Sequence, residues 1–493
     1  MHDVVIAGAG PVGLFLAGEL ALAGCSVLVL EKEADPHSPW RKMPLGMRGL
    51  SGGSAEAFYR RGMLRPLLAE SGLAPAEEEQ VRPSWVGHFA GTPLDPADVD
   101  LSALPYRLPS PALDGIMTSL EAVETVLAER AVKHGAEIRH GVQVSGLVQD
   151  DEGVLVRDGD HEYPARWLVG CDGGRSTVRR LAGFAFVGTE PQLTGYVALA
   201  TFADPGELTP GFNLTPAGMY LTMPTPGHFG VLDFDGGTYD RSQPLTREHL
   251  QTVLRRVSGT DVTLDEVHLA SSFTDRALQT TGYRRGRVLL AGDAAHIHSP
   301  LGGQGLNLGI GDAMNLGWKL AATVRGAAPD GLLDTYVAER HPIGARVLDW
   351  SRAQVAVMRP DPHSRAIQAV TRDLMTTRAG TTYVFERASG LSLRYDLGDD
   401  HPLVGHNAPD FRLADGNRLG ELLQDGQGVA LDFSDDGRLR DVAERYPVQY
   451  KAVPAHDDLG YDAVLVRPDG IVAWASDRDP DPGSFENALT RWF

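Results

Sequence analysis

The sequence has few cysteines, no long apolar run and a deficit of basic residues. Cys25 and Cys171 are the only cysteines among 493 residues, which excludes a disulfide scaffold and a cysteine-ligated metal cluster. No apolar run approaches the roughly 20 residues that a membrane helix needs. With 65 acidic against 45 basic residues, the formal charge of −20 opposes binding to nucleic acid or to an anionic membrane.

The length of the chain indicates more than one hydrophobic core, and we expect two or three domains. The hydrophobic share of 42% is that of a folded protein. The first residues carry no basic segment followed by an apolar core and a cleavage site, so no secretion signal is expected. A cytoplasmic enzyme, monomeric or homodimeric, is the simplest interpretation.

The opening stretch is predicted to form a strand, a glycine turn, a helix and a second strand. Residues 4–7 are apolar and β-branched, residues 14–23 are rich in alanine and leucine, and residues 26–30 form another apolar run. The turn at residues 8–13 has glycine at its first, third and sixth positions. A bare turn could carry the same glycines, but this order of elements favours a dinucleotide site.

Each residue type in the turn has a physical role in such a site. The first glycine permits the tight bend, the second leaves room for a pyrophosphate, and the third lets the helix pack on the strand. Free N–H groups at the helix start attract phosphates. An acid after the second strand accepts ribose hydroxyls and disfavours NADP, so the pocket suits NAD or FAD. The residues assigned to this part of the site are Gly8, Gly10, Pro11, Val12, Gly13, Glu31 and Lys32.

Two more glycine-bearing segments follow predicted strands. In residues 169–179, Asp172 and Gly173 stand between a strand and a helix, where a serine-capped helix start is the alternative interpretation. In residues 292–307, Asp293 ends a strand and can accept hydrogen bonds from a polyol, and a Pro-x-Gly-Gly-x-Gly loop then begins a helix. Backbone N–H groups at that helix start would stabilise negative charge on a reduced flavin.

We therefore predict that backbone, rather than a side-chain acid or base, surrounds the reacting ring. The catalytic residues assigned on this basis are Pro300, Gly302 and Gly303. The cofactor residues assigned in these two segments are Asp172, Gly173, Gly292, Asp293, Pro300, Gly303, Gln304, Gly305, Leu306 and Asn307.

His296 and His298 invite interpretation as metal ligands or as a general base. No acid or cysteine set with ligand spacing accompanies them, so we expect no metal and predict a structural hydrogen bond near the cofactor. The chain also has no Gly-x-Ser-x-Gly elbow, so serine hydrolysis is unsupported.

The three glycine-bearing segments are similar to the three motifs of class A flavoprotein monooxygenases, the para-hydroxybenzoate hydroxylase family. Residues 332–342 resemble that family too, and the whole chain resembles its aromatic polyketide hydroxylases. The resemblance implies an α/β protein with three parts. These are a Rossmann-like FAD-binding domain (1–74, 112–182 and 275–397), a β-sheet substrate domain (75–111 and 183–274) and a thioredoxin-like C-terminal domain (398–493). The last has no cysteine, which excludes thiol redox chemistry and favours a structural or oligomer-shaping role.

The resemblance also implies the chemistry. In this family NADPH or NADH binds transiently and reduces FAD, O₂ adds at flavin C4a, and the hydroperoxyflavin transfers one oxygen atom to a bound ring. We predict hydroxylation of a polycyclic aromatic polyketide. Baeyer–Villiger insertion, epoxidation and oxidative inactivation of an antibiotic are alternatives within the same chemistry, and a non-catalytic flavin- or ligand-binding partner is an alternative from another class.

The chain departs from the family at three positions that usually contact the flavin. Gly46 and Gly53 stand where basic residues are usual, and Leu120 stands near the place of a glutamine. We include Leu120 in the cofactor site and expect Arg41 or Arg48 to replace the missing charge.

Two helices are also predicted from capping residues. Ser119 is expected to cap a helix over residues 120–134, and Ser54 is expected to cap a single helix over residues 54–68.

Overall fold

The computed structural model describes residues 1–74, 87–104, 106–112, 115–204, 206, 208–434, 437–456 and 459–493. Positions 75–86 of the expected substrate domain, and a few single positions of all three expected domains, therefore lie outside the described residues. Within the described ranges, helices are too short or too polar to cross a lipid bilayer.

The protein is an α/β structure, as predicted. Its strands are β1 (His2–Ala7), β2 (Val27–Glu31), β3 (Met47–Ser51), β4 (His88–Phe89), β5 (Thr92–Pro93), β6 (Gly115–Ser119), β7 (Glu137–His140), β8 (Gly146–Gln149), β9 (Val154–Asp158), β10 (His161–Gly170), β11 (Phe186–Thr189), β12 (Thr194–Phe202), β13 (Gly211–Thr215), β14 (Gly218–Thr222), β15 (His228–Asp233), β16 (Leu264–Thr274), β17 (Ala277–Thr280), β18 (Arg284–Arg285), β19 (Val288–Leu290), β20 (His296–Ile297), β21 (Gly428–Asp432), β22 (Val448–Ala452), β23 (Ala463–Val466) and β24 (Val472–Ser476). Its helices are α1 (Pro11–Leu22), α2 (Gly52–Tyr59), α3 (Leu64–Glu70), α4 (Leu120–Lys133), α5 (Thr177–Leu181), α6 (Arg247–Ser258), α7 (Gln304–Arg325), α8 (Thr335–Met358), α9 (Pro362–Met375), α10 (Arg378–Ala388), α11 (Leu419–Leu422), α12 (Arg440–Ala443) and α13 (Pro482–Trp492).

The central sheet has the strand order β18-β19-β10-β1-β2-β7, with β9 and β8 extending from β10. Strands β19, β10, β1, β2 and β7 run parallel, so their carboxyl ends meet at one edge. Helix α1 is apolar apart from Glu19, as suits a helix that is buried between α4 and α7. A ligand of an open parallel sheet binds at the carboxyl ends of its strands, so the fold places the candidate site at that edge.

A second sheet, with strand order β13-β14-β15-β12-β16, is antiparallel throughout. Helix α6 covers one of its faces with Leu250, Val253, Leu254 and Val257, which recur at helical spacing. Thr246 caps this helix by accepting the N–H of His249, and Gly259 ends it in the left-handed region.

The C-terminal sheet has the order β22-β21-β23-β24, in which β21 and β22 are parallel and the other pairs are antiparallel. Helix α12 connects β21 to β22, and α13 ends the chain. The topology fits the expected thioredoxin-like domain, which stays a prediction.

Buried arginines attach the C-terminal sheet to the rest of the protein. Arg467, fully buried, donates to both oxygens of Glu339 on α8 at 2.8 Å and pairs with Asp469. Arg60 and Arg61, at the end of α2, donate to four backbone carbonyls of residues 408–470. These charges are buried together with their partners, so removing one side of a pair leaves the other uncompensated.

The prediction of one helix capped by Ser54 is wrong. Helix α2 begins at Gly52 and ends at Tyr59, and Gly62 in the left-handed region separates it from α3. The helix ends because the chain must turn to direct Arg60 and Arg61 toward the C-terminal sheet. The helix predicted after Ser119 is confirmed as α4, in which the Ser119 hydroxyl accepts the N–H of Ala122.

We predict that Arg467→Leu lowers the free energy of unfolding by about 3–5 kcal/mol, because Asp469 loses its buried guanidinium partner and Glu339 is left with Lys319. Thermal unfolding measures the change. The control is Arg445→Leu, which breaks an exposed pair with Glu486 and should cost less than about 1 kcal/mol. Equal decreases in Tm for the two variants would contradict the role assigned to Arg467.

Candidate active site

The structure brings the three glycine-bearing segments together at the carboxyl edge of the central sheet. The Cys171 N–H donates to the Ala7 carbonyl at 2.8 Å, and the Ala291 N–H donates to the Gly170 carbonyl at 3.0 Å. Val12, at the start of α1, packs against Gly292: a β-carbon built on that glycine would lie 3.0 Å from the Val12 side chain. Segments far apart in sequence therefore form one cleft.

The opening glycines have three different surroundings. Gly8 has a φ of +104°, and a β-carbon there would lie 2.4 Å from the Cys171 carbonyl oxygen. A β-carbon on Gly13 would lie 2.0 Å from the Gly8 carbonyl oxygen, so both positions exclude a side chain. Around the corresponding point on Gly10 there is no protein atom of the described residues within 4 Å. Gly10, the N-cap residue of α1, thus leaves open space beside the helix N-terminus, as a bound phosphate requires.

Glu31 lies buried at the end of β2. Its carboxylate accepts the N–H of Ala9 at 2.7 Å and the N–H of Glu33 at 2.9 Å, which fixes the glycine turn relative to β2. A carboxylate has further lone pairs for a ligand hydroxyl. Lys32, by contrast, is exposed and lies 3.6 Å from Glu33.

Asp172 takes part in a capped helix start, which is the alternative interpretation of its segment. Its carboxylate accepts the Ser176 hydroxyl and the N–H groups of Thr177 and Val178, so it stabilises the start of α5. Gly173, with a φ of +74°, makes the turn between them. A direct contact of Asp172 with the cofactor stays a prediction.

The third segment surrounds the N-terminus of α7. Gly303 is the N-cap residue in the left-handed region, and its N–H donates to Pro300 at 3.0 Å. The side chain of Asp293 is accessible to solvent. The surrounding protein nevertheless desolvates its carboxyl in part, and this raises the pKa of the group. Gly305 lies between His298 and Asp293, and Leu306 packs against the main core.

Asn307 joins this helix start to the segment before α2. Its side chain accepts the Ser51 N–H at 2.8 Å and donates to the carbonyls of Gly49 and Gly303. Gln304 donates a long hydrogen bond, 3.4 Å, to Ala388 at the end of α10. These two side chains hold neighbouring elements around the loop, a role that the sequence did not indicate.

The residues discussed as departures from the family lie together. Arg41 pairs with Glu124 of α4 at 2.9 Å, and Arg48 donates to the Met47 carbonyl and lies in the field of Glu124 and Asp293. Both guanidinium groups thus stand near the cleft, as the expected replacement requires. Leu120 contacts this group through its backbone, since its N–H donates to the Gly46 carbonyl at 2.7 Å.

A buried network of polar side chains lies on the core side of the segment at residues 292–303. Asp312, inside α7, accepts the Gly292 N–H, shares a 2.7 Å hydrogen bond with His296 Nε2 and accepts a donor from Arg340 on α8. The structural hydrogen bond predicted for His296 is confirmed. Burial alone would raise the pKa of Asp312, but Arg340 and His296 hold it below its usual value. Sequence reasoning missed Asp312, although an acid on the apolar face of a helix was a signal.

Among the described residues, no group of three His, Cys, Asp or Glu side chains is arranged to hold a metal.

Comparison with known families shows to which family the chain belongs. A model described as "FAD binding domain" matches residues 1–351, and one described as "Aromatic-ring hydroxylase, C-terminal" matches residues 401–493. The chain belongs to the FAD-dependent aromatic-ring hydroxylases. It is an FAD-dependent monooxygenase of aromatic compounds, as the sequence resemblance implied.

Similar proteins of this family match over the whole chain. A monooxygenase of Claviceps purpurea (strain 20.1) is 46% identical over 99% of this chain and 97% of its own length. A rifampicin monooxygenase of Streptomyces venezuelae is 40% identical over 100% and 99%. The solved structure of the OxyS anhydrotetracycline hydroxylase from Streptomyces rimosus superposes with a TM-score of 0.87, at 37% identity, over 100% of this chain and 99% of that one.

The cleft of this aromatic-ring hydroxylase fits FAD. The open space at Gly10 beside the start of α1 suits a pyrophosphate, and the buried Glu31 carboxylate at the end of β2 suits a ribose. The N-terminus of α7 with its glycine loop suits a flat ring that carries negative charge when reduced.

We predict that Gly10→Ala weakens FAD binding at least tenfold, because the new methyl group occupies the space left for the pyrophosphate. The apoprotein should keep its Tm, since Gly10 has a φ of −75° that alanine adopts without strain. FAD affinity is measured by quenching of flavin fluorescence. Gly282→Ala, which also meets open space, is the matched control and should leave affinity unchanged. A Gly10→Ala protein that binds FAD normally would contradict the assignment.

A pH dependence follows from Glu124. Burial raises the pKa of its carboxyl to about 7 despite the pair with Arg41. A carboxyl whose pKa rises on folding destabilises the protein above its unfolded pKa, and this cost grows until the pH exceeds the folded pKa. Glu124→Gln should therefore stabilise the apoprotein relative to the wild type by of order 2 kcal/mol more at pH 8 than at pH 5. Thermal unfolding at both pH values measures this difference. Glu129→Gln, on an exposed turn of the same helix, should show no such pH dependence.

Proposed function

We propose that this monooxygenase hydroxylates a polycyclic aromatic polyketide, using NADPH or NADH as a transient reductant. The observation that carries the proposal is the position of the antiparallel sheet opposite the loop at Pro300–Gly303. Leu301 of that loop shares one hydrophobic cluster with Met219 and Leu232 of the sheet. A broad apolar wall therefore faces the loop, as a flat hydrophobic substrate requires.

The composition of this wall favours an aromatic substrate. Phe212 and Phe273 of the sheet, and Phe234 directly after β15, are only partly buried at the edge of the cluster. Partly exposed aromatic rings offer stacking surfaces to a planar ligand. The OxyS hydroxylase and the rifampicin monooxygenase act, by their names, on an anhydrotetracycline and a rifampicin, and both support the same substrate class.

We assign the roles of the chain's own residues as follows. Gly10, Glu31 and the start of α1 would hold the nucleotide half of FAD, and the backbone of Gly302 and Gly303 would line the place of its ring. The bound cofactor would supply electron transfer from NAD(P)H and activation of O₂. Asp293 would accept hydroxyls of the cofactor, and Arg48 would provide positive charge nearby. The antiparallel sheet excludes water and orients the substrate. Residues 1–74, 112–182 and 275–397 form the FAD-binding domain, 75–111 and 183–274 the substrate domain, and 398–493 a thioredoxin-like structural domain.

Inactivation of an antibiotic is a second candidate, because the rifampicin monooxygenase is 40% identical along its whole length. Its product also contains oxygen from O₂, so the substrate that is turned over distinguishes the two.

We expect the FAD-loaded enzyme to oxidise NADPH or NADH and to place one ¹⁸O atom from ¹⁸O₂ in its product. Mass spectrometry over a panel of anhydrotetracycline, rifampicin, polycyclic phenols and quinones measures this incorporation. Fragmentation separates ring hydroxylation from insertion into a carbon–carbon bond. A protein that binds FAD but is not reduced by either nucleotide, with any member of the panel, would contradict the proposal and favour a non-catalytic binding protein.

A further inference from the structure

A cavity of about 680 Å³ lies between α2, α7, α8, α10 and the C-terminal sheet. Its inner wall is mostly apolar and includes Leu308 and Met314 of α7, Ile343 of α8 and Ile471 before β24. The more exposed residues among its lining, which mark its opening, include Arg346, Ala353 and Tyr383. Its volume is that of a small-molecule site.

This cavity is distinct from the cofactor cleft. The described residues that line it do not include the opening glycines, Glu31, Asp293 or residues 300–303. It meets the cleft only at the start of α7, through Gln304 and Asn307, and at Ser51 and Gly53. The antiparallel sheet is absent from its lining as well, so the cavity is not the substrate pocket proposed above.

The lining indicates what the cavity binds. Trp350 and Tyr383 supply aromatic faces, and the Arg387 guanidinium lies 3.4 Å above the Tyr383 ring. Within the part of the chain that the structure describes, Arg346 makes only a long, 3.4 Å hydrogen bond, to the Arg394 carbonyl. The acidic groups of the lining already have basic partners: Glu56 pairs with Arg60, Asp349 with Arg352 and Asp469 with Arg467. Guanidinium groups beside aromatic and apolar surface are suited to a flat apolar molecule that carries an anionic group.

We propose that this cavity is a second ligand site, which takes a planar aromatic molecule bearing a carboxylate, sulfonate or phenolate. The ring system lies against Trp350 and the apolar wall, and the anionic group pairs with Arg346 and Arg387. The charge complementarity is local, since the chain as a whole carries −20 and repels anions elsewhere.

The site connects to the flavin loop through Arg340. This residue lines the cavity together with Tyr395, to whose hydroxyl it donates at 2.9 Å. Its Nε donates to Asp312, which holds the Gly292 N–H and His296. The cavity and the loop before α7 therefore share one buried hydrogen-bond network.

The probe for this site is 1-anilinonaphthalene-8-sulfonate, an aromatic anion whose fluorescence increases in apolar surroundings. We expect saturable binding to the FAD-loaded protein. Ala353→Trp, which narrows the opening, should weaken binding at least tenfold. Ala356→Trp is the matched control: it lies on the same helix, is equally exposed and does not line the cavity. Arg346→Glu should weaken binding similarly, whereas Arg372→Glu on the surface of α9 should not.

The measurement uses binding alone, so the inference can fail or succeed independently of the proposed oxygenation. Retained FAD absorbance and Tm show that each variant is folded. Equal affinity in the two tryptophan variants would overturn the proposal. Displacement of the probe by excess FAD from the apoprotein, with no effect of Ala353→Trp, would place the probe in the cofactor cleft and overturn it too. Displacement by NADP⁺ at comparable concentration would overturn the ligand class in favour of a dinucleotide.

Discussion

The carboxylate of Asp312 is the interaction on which the arrangement of the site depends. It lies on the buried side of α7 and has partners in residues 292–296 and on α8. Burying a charge is costly unless every partner is in place, so the group tolerates few alternative positions of these elements. The glycine-bearing segment before α7 is consequently held in place from the side of the core.

Helix α8 extends this arrangement to the C-terminal sheet. Glu339 and Arg340 are adjacent in sequence, but Glu339 pairs with Arg467 of the C-terminal sheet while Arg340 pairs with Asp312 behind the flavin loop. Two adjacent charged residues of α8 therefore join the C-terminal sheet to the segment at residues 292–303. In this arrangement the C-terminal part of the chain, which has no cysteine, covers one side of the helix that holds Asp312 in place.

Much of the fold and of the nucleotide half of the site could be predicted from sequence, because glycine positions and buried strands are local signals. Gly8 and Gly13 are glycines for reasons of close approach that the motif already implies. The ion pairs could not be predicted, since Asp312 meets Arg340, and Arg61 meets Glu19, only after distant segments fold together. Asp172 shows the limit of a motif. In the structure its carboxylate accepts hydrogen bonds from the start of α5, while its contact with the cofactor stays a prediction. The early end of α2 was missed for the same reason, because tertiary contacts outweigh a local capping preference.

Gly46 shows how close backbone packing limits the substitutions that a position can accept. A β-carbon at this position would lie 2.0 Å from the Arg41 carbonyl oxygen, so the backbone of residues 41–42 fills the space that any side chain would need. A basic side chain therefore cannot be introduced at this position by a single substitution without displacing that backbone. The neighbouring chain would have to adopt another path first, which ties the identity of residue 46 to the course of residues 41–42.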